Sequence, residues 1–181
     1  MNILQNILDE SGFDRMISRL AHEILERNQG VENLVVIGLR TRGEFVAQRL
    51  AAKLGQIEGG APVQTGVLDV TLYRDDVRNH LKQPEVRATD ITFDINDRHV
   101  ILVDDVLFTG RTVRSALNAL LDIGRSRTVQ LVVLVDRGHR EVPIRADFIG
   151  KNVTTSRGQE VRVRLREVDG IDAIDLVSTE A

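Results

Sequence analysis

The stretch Val100–Thr112 reads Val-Ile-Leu-Val-Asp-Asp-Val-Leu-Phe-Thr-Gly-Arg-Thr, and the fold follows from how it is read. The apolar run Val100–Val103 predicts a buried strand. Two adjacent acids, Asp104 and Asp105, close the run. A turn carrying Thr109 and Gly110 follows, and a helical pattern begins near Thr112. The free amides of a first helical turn, with the positive end of the helix dipole, attract phosphate. Gly110 lets the backbone approach a ligand closely, and Thr109 and Thr112 add hydroxyl donors. Asp104 and Asp105 repel a phosphate. They suit ribose hydroxyls instead, or the neighbourhood of a Mg²⁺ ion held mainly by substrate oxygens rather than by protein ligands. Acids for a sugar beside amides for its phosphate fit a phosphoribosyl group. A plainer reading also stands: paired acids end strands in receiver-like α/β domains, and a Thr-Gly turn can be only a cap.

Working outward, two more apolar runs behave the same way. Leu34–Leu39 ends in Gly-Leu-Arg-Thr-Arg-Gly (Gly38–Gly43), and a helix is expected over about Glu44–Leu54 with Phe45, Val46, Leu50 and Leu54 inward. Two glycines bracketing two arginines at a strand-to-helix turn predict a second anion-binding loop. Val129–Val135 runs into Asp136-Arg137-Gly138-His139-Arg140. In open α/β sheets, ligands bind outside the carboxyl ends of the strands, so three such loops predict one shared site. The helix after the central motif is expected over Val113–Ile123, with Ala116, Leu117, Leu120 and Leu121 inward and Gly124 ending it.

Residues 11–28 predict an amphipathic helix with Phe13, Ile17, Leu20 and Ile24 on one face, capped by Asp9 or Ser11. Arg15, Arg19 and His22 lie on the other face, near Ser18. That face reads as a solvated surface or as a contact for an anionic partner, with Glu23 and Glu26 favouring the former. Val67–Leu72 predicts a strand. The polar stretch Tyr73–Asp90 lacks a helical stripe and reads as a mobile flap or hairpin over the substrate, with Arg74 and Arg87 as candidate phosphate contacts. Val161–Leu165 alternates as a strand with one wet face, and Ile174–Val177 is expected to be a final edge strand.

Length and composition agree with one domain over residues 1–181. Apolar residues are 42% of the chain and aromatics only 3%, so the core is aliphatic. There is no cysteine, hence no disulfide framework and no thiolate metal site. The net charge of -3 excludes a general polycation, so nucleic-acid binding would need a local basic patch. No apolar run approaches the roughly 20 residues of a membrane span. The N-terminus lacks a secretory pattern, and a cytoplasmic protein is expected.

The central stretch resembles the phosphoribosyl diphosphate (PRPP) motif of type I phosphoribosyltransferases. Ala21–Ile24, Thr41–Gly43, Asp69–Asp76 and above all Val135–Lys151 resemble one subfamily over nearly the whole chain. It comprises bifunctional pyrimidine operon attenuation proteins that are also uracil phosphoribosyltransferases. The resemblance implies an α/β fold with a central, mostly parallel sheet flanked by helices, a flexible loop and a small hood. It implies two activities: uracil with PRPP and Mg²⁺ gives UMP and diphosphate, and the leader of pyrimidine biosynthetic mRNA is bound when UMP or UTP is present. A homo-oligomer, a dimer at least, is also implied.

Carried onto this sequence, the resemblance makes Asp104 and Asp105 the catalytic pair, gripping the ribose hydroxyls. The PRPP or UMP segment continues through Val106, Leu107, Phe108, Thr109, Gly110, Arg111 and Thr112, while Thr41 and Arg42 take the pyrophosphate. Uracil is expected against Asp136, Arg137, Gly138 and His139, near Ile149 and Lys151. Phe108 stands where the family often has tyrosine. The basic candidates for RNA are Arg19, His22, Arg27, Arg140, Arg145 and Lys151, with Ser18 beside them. The alternatives are a phosphoribosyltransferase with no RNA role, an RNA regulator with negligible catalysis and, remotely, a receiver domain. A receiver explains neither Arg40–Gly43 nor Asp136–Arg140.

Overall fold

The computed structural model describes residues 2–70, 89–156 and 158–179. Its first element is a strand the sequence did not announce, β1 (Ile3–Leu8), whose Ile3 and Leu4 are exposed. Helix α1 (Glu10–Asn28) starts at Asp9, whose side chain accepts from the Gly12 amide at 2.8 Å, as the capping pattern predicts. Its stripe of Phe13, Ile17, Leu20 and Ile24 is fully inward. Strand β2 (Leu34–Leu39) is buried along its length. Helix α2 (Arg42–Ile57) begins two residues before the expected Glu44 and buries Val46, Leu50 and Leu54, with Phe45 half-buried.

Strand β3 (Thr65–Leu68) starts before the expected Val67 and ends at Leu68. Residues 71 and 72, and the flap candidates Arg74 and Arg87, lie outside the described residues. Asp90, at the far end of that stretch, exchanges two backbone hydrogen bonds of 2.8 Å with Val67.

Strand β4 (His99–Leu107) is longer than the apolar run Val100–Val103, because pairing with its neighbours carries it through the two acids. Helix α3 (Arg111–Ile123) buries Val113, Ala116, Ala119 and Leu120. Leu121, expected inward, is instead 74% exposed: one residue past Leu120 is a rotation of about 100°, which carries it off the buried stripe. Strand β5 (Thr128–Asp136) matches its apolar run, and β6 (Phe148–Asn152) is a further strand to which the sequence reading assigned no element.

These strands form one parallel sheet in the order β3-β2-β4-β5-β6. One face of the sheet, with Val36, Ile101, Val132 and Leu134, packs on α1 and α2. The other, with Val35, Leu102 and Val133, packs on α3. The chain finishes with β7 (Gln159–Arg164), the single turn α4 (Arg166–Asp169) and β8 (Ala173–Ser178). A separate antiparallel sheet of order β1-β8-β7 results, and it is the small hood. Strand β8, expected at an edge, is its centre, since β1 supplies the second partner. Strand β7 buries Val161 and Val163 and turns Arg162 outward, as its alternation predicts.

Candidate active site

The C-terminal ends of β2, β4 and β5 deliver the three glycine-containing loops to one rim. The pairing Gly38 to Val103 and Leu107 to Asp136 sets their levels. Gly43, at the start of α2, is pressed onto β4. A Cβ there would lie 2.5 Å from the Val103 carbonyl oxygen and 3.3 Å from Asp104 Cα. That contact brings the loop with Thr41 and Arg42 against the acid pair.

Asp104 and Asp105 are half-buried residues inside β4. The turn therefore begins at Phe108, later than the sequence suggested. The Asp105 amide donates to Asp104 Oδ1 at 2.9 Å, and the Val106 amide to Asp105 Oδ1 at 2.8 Å. Each carboxylate is thus aimed by the main chain of the next residue. Leu107, expected at the ligand, has its side chain in the core at 1% exposure, and its carbonyl accepts from the Arg137 amide at 3.1 Å.

Gly110 caps α3 at φ +88°, a conformation glycine adopts without strain. Its missing Cβ has a second reason besides ligand approach: an added methyl would lie 2.7 Å from Val142 Cγ2. The Thr109 carbonyl accepts from the Glu141 and Val142 amides at 3.0 and 3.2 Å, so the phosphate loop is tied to the loop after β5. The Arg111 amide, the first of α3, donates to Thr109 Oγ1 at 3.4 Å, and Gly110 offers no side-chain cap to the amides that follow. Arg111 turns to Glu141 at 2.6 Å.

On the β2 side, Thr41 is the N-cap of α2 and makes no capping hydrogen bond with its side chain. The Arg40–Thr41 peptide is cis. Arg42 Nη2 donates to both Asp169 oxygens at 3.1 and 3.2 Å, while its Nε is buried with no hydrogen-bond partner.

The loop after β5 forms the third wall. Arg137 lies over the Phe108 ring, 4.1 Å from its centroid. Its Nη2 donates to the Gln159 carbonyl at 2.7 Å and its Nε to Thr155 Oγ1 at 3.3 Å. Burial pushes this guanidinium below its ordinary pKa, with Glu160 opposing. His139, at φ +60°, places Nε2 2.7 Å from the Thr155 carbonyl and meets Phe108 edge-on. Burial raises the Asp136 carboxyl, but hydrogen bonds from Arg140 and the Gly138 amide outweigh it and hold its pKa below the ordinary value.

A cleft of about 360 Å³ is lined by Asp136–His139 on one side and Asn152–Thr155 on the other. It adjoins one of about 340 Å³ lined by Phe108, Arg137, His139, Arg140, Glu141 and Ser156. Asp136, Arg137, Gly138 and His139 therefore line one wall together. Ile149 and Lys151 are not on this wall. Register explains the difference: Ile149 pairs with Val133, three rows below the rim, whereas Asn152 pairs with Asp136. Ile149 packs into the core, and Lys151 Nζ donates to the Ile7 carbonyl at 3.3 Å. Asn152 and Thr155 on the wall, and Gln159 behind Arg137, are residues the sequence did not reveal, because nothing in their local pattern tells which strand they face.

The basic candidates fall into two groups. Arg19 donates to the Gly150 carbonyl at 2.6 Å and pairs with Glu23; Arg27 reaches Asp147 at 2.9 Å and lies over Phe148. With His22, whose Nδ1 lies 2.7 Å from the Ser18 carbonyl, and Lys151, they follow α1 and the β6 edge. Arg145 is exposed on the approach to β6. Arg140 has a different task. Its guanidinium donates to the Ile144, Phe108 and Gly138 carbonyls and to Asp136, so its donors knit the β5 loop together.

Another cleft, of about 620 Å³, lies between α1, α2 and the hood, and of the predicted site residues Ser18 lines it. Arg49 crosses it to Glu167 and Asp172. Burial lowers the Arg49 pKa, but those two carboxylates hold it above its ordinary value. Among the described residues no cluster of three or more His, Cys, Asp or Glu side chains is shaped for a metal.

The family described as "Phosphoribosyl transferase domain" matches residues 4–167. A protein of Deinococcus radiodurans named "Bifunctional protein PyrR" is 55% identical, over 96% of this chain and 94% of its own. Proteins of the same name from Clostridioides difficile and Bacillus subtilis are 54% and 52% identical, over 94% and 99% of this chain and 96% and 100% of their own. Among solved structures, a hypoxanthine phosphoribosyltransferase of Staphylococcus aureus superposes with a TM-score of 0.72 at 19% identity, covering 97% of this chain and 96% of its own. One of Trypanosoma cruzi gives 0.72 at 19% identity, covering 98% of each chain. At that identity the two structures establish the fold alone.

Proposed function

This chain belongs to the bifunctional PyrR proteins of the phosphoribosyl transferase domain family, and from that premise we propose how its residues do the work. It is a uracil phosphoribosyltransferase that also regulates pyrimidine genes. The observation that carries the catalytic reading is the seating of Gly43 on Val103 and Asp104, which makes one site of two loops.

In the reaction, uracil N1 bonds to C1′ of PRPP, the bond from C1′ to the pyrophosphate oxygen breaks, and the N1 proton leaves. Asp104 and Asp105 accept the ribose hydroxyls, and their charge favours the positive character that grows at C1′. The amides at the start of α3, with Thr109 and Thr112, hold the 5′-phosphate. Thr41 and Arg42 take the pyrophosphate. Uracil stands in the cleft walled by Asp136–His139, where Arg137 on Phe108 supplies a flat cationic surface. Asp104 and Asp105 are hard oxygen donors beside which a Mg²⁺ ion held mainly by substrate oxygens would sit, and it would supply charge neutralisation of the pyrophosphate.

The regulatory reading assigns Ser18, Arg19, His22, Arg27, Arg145 and Lys151 to the mRNA leader, with UMP or UTP as effector. Their alignment along α1 and the β6 edge supports it, since a basic face supplies salt-dependent phosphate contacts. The same reading extends to a homo-oligomer, a dimer at least, working in the cytoplasm. Among the described residues no helix is long and apolar enough to cross a membrane.

With uracil, PRPP and Mg²⁺, UMP and diphosphate are the expected products, and hypoxanthine is not used. Asp104→Asn with Asp105→Asn is expected to lower kcat/KM about a hundredfold or more. Full activity of that variant would remove the acids from the reaction. Filter binding of the leader RNA with UMP, across a salt series, is expected to give affinity that falls with salt; no binding at low salt would end the regulatory half.

A further inference from the structure

We propose that Asp169, in the hood, is a positioning residue that aims the Arg42 guanidinium at the leaving pyrophosphate; this rests on the reading above of Arg42. Arg42 is the first residue of α2, next to Gly43 and so next to the acid pair. A guanidinium carries five donors in a rigid fork. Asp169 takes only Nη2, at 3.1 and 3.2 Å. The Nε proton is buried with no acceptor, an arrangement that costs free energy until one arrives. Pyrophosphate oxygens supply that acceptor, and Asp169 keeps its hold on Nη2 while they do so.

A surface ion pair would explain less. The two side chains are only 33% and 23% exposed, and Asp169 is itself fixed, its Oδ2 accepting from the Leu165 amide at 2.9 Å. Nor is Asp169 needed to fasten the hood to α2. Arg49, two turns further along the same helix, already reaches Glu167 at 2.6 Å and Asp172 at 2.7 Å. The Arg42 contact is therefore spare as a fastener and well placed as an aiming device.

Steady-state kinetics of Asp169→Asn, Arg42→Ala and the double variant test this. Asparagine keeps an acceptor for the Leu165 amide, so the hood folds, but it loses the charge that grips Arg42. The expected result for Asp169→Asn is a KM for PRPP raised about tenfold, with kcat and the KM for uracil within about twofold. Asp169→Glu is expected to recover part of the loss. In the Arg42→Ala background the Asn substitution adds nothing, because the group it aims is gone. An unchanged KM for PRPP in Asp169→Asn, beside a raised one in Arg42→Ala, overturns the proposal and leaves the assignment of Arg42 standing. An undiminished effect in the double variant also overturns it. A normal KM for PRPP in Arg42→Ala removes Arg42 from the pyrophosphate site and the proposal with it.

Discussion

At the rim of the central sheet the acids are held by their neighbours, whereas the hood is held by contacts that span most of the chain. Asp104 and Asp105 are each aimed by the amide one residue on, and Asp136 by Gly138 and Arg140. The hood joins α2 through Arg42 to Asp169 and Arg49 to Glu167, separations of 127 and 118 residues. The rim is thus a local construction carried by a buried sheet. The hood depends on side chains meeting after the rest has folded.

Breaking the rim should cost most. Gly43→Val places a side chain 2.5 Å from a main-chain oxygen of β4 that cannot step aside. It is expected to lose about 3 kcal/mol of stability in denaturant titration and nearly all transferase activity. Breaking the hood should cost less and act locally. Arg49→Ala takes from Asp172, 3% exposed, the nearer of its two cations and leaves Arg166 at 3.7 Å, at about 2 kcal/mol. Hydrogen exchange is expected to rise in β7 and β8 while β4 and β5 stay protected.

The smallest effect sharpens the comparison through pH. Asp136 has a folded pKa below its unfolded value of about 3.9. Its pairing therefore contributes fully above about pH 3.9 and is lost as pH falls through the lower folded value. Asp136→Asn is expected to be less stable than the parent at pH 7, with the gap closing below about pH 4 in acid titrations. A gap constant down to pH 2 would assign the loss to packing.

What was legible in the sequence follows the same division. Asp104–Thr112, Thr41–Gly43 and Asp136–His139 could be read because a strand, a turn and a helix start lie within a dozen residues, and their chemistry is visible in that span. Ile149 lies three rows and Lys151 one row below the rim, a register that belongs to two strands and is written in neither. Thr155 and Gln159 went unnoticed for the same reason: only the pairing of β6 with β5 and the folding of β7 bring them to Arg137. Leu121 was expected inward because an apolar side chain on a helix looks inward until the neighbouring sheet fixes the rotation. Strand β8 passed for an edge because β1, with Gln5 and Asn6 in its middle, carries too weak a pattern to be foreseen as its partner.

Strand β1 also sets an order of assembly during synthesis. Its Asn6 hydrogen-bonds Asp175 of β8, 169 residues later. The five parallel strands can pair while β8 is still inside the ribosome, but β1 must wait unpaired until β8 emerges. Contacts so distant in sequence form slowly. A nascent chain thus carries a finished phosphate cup before it owns a roof, and β1, made before the parallel strands, is among the last to find its place.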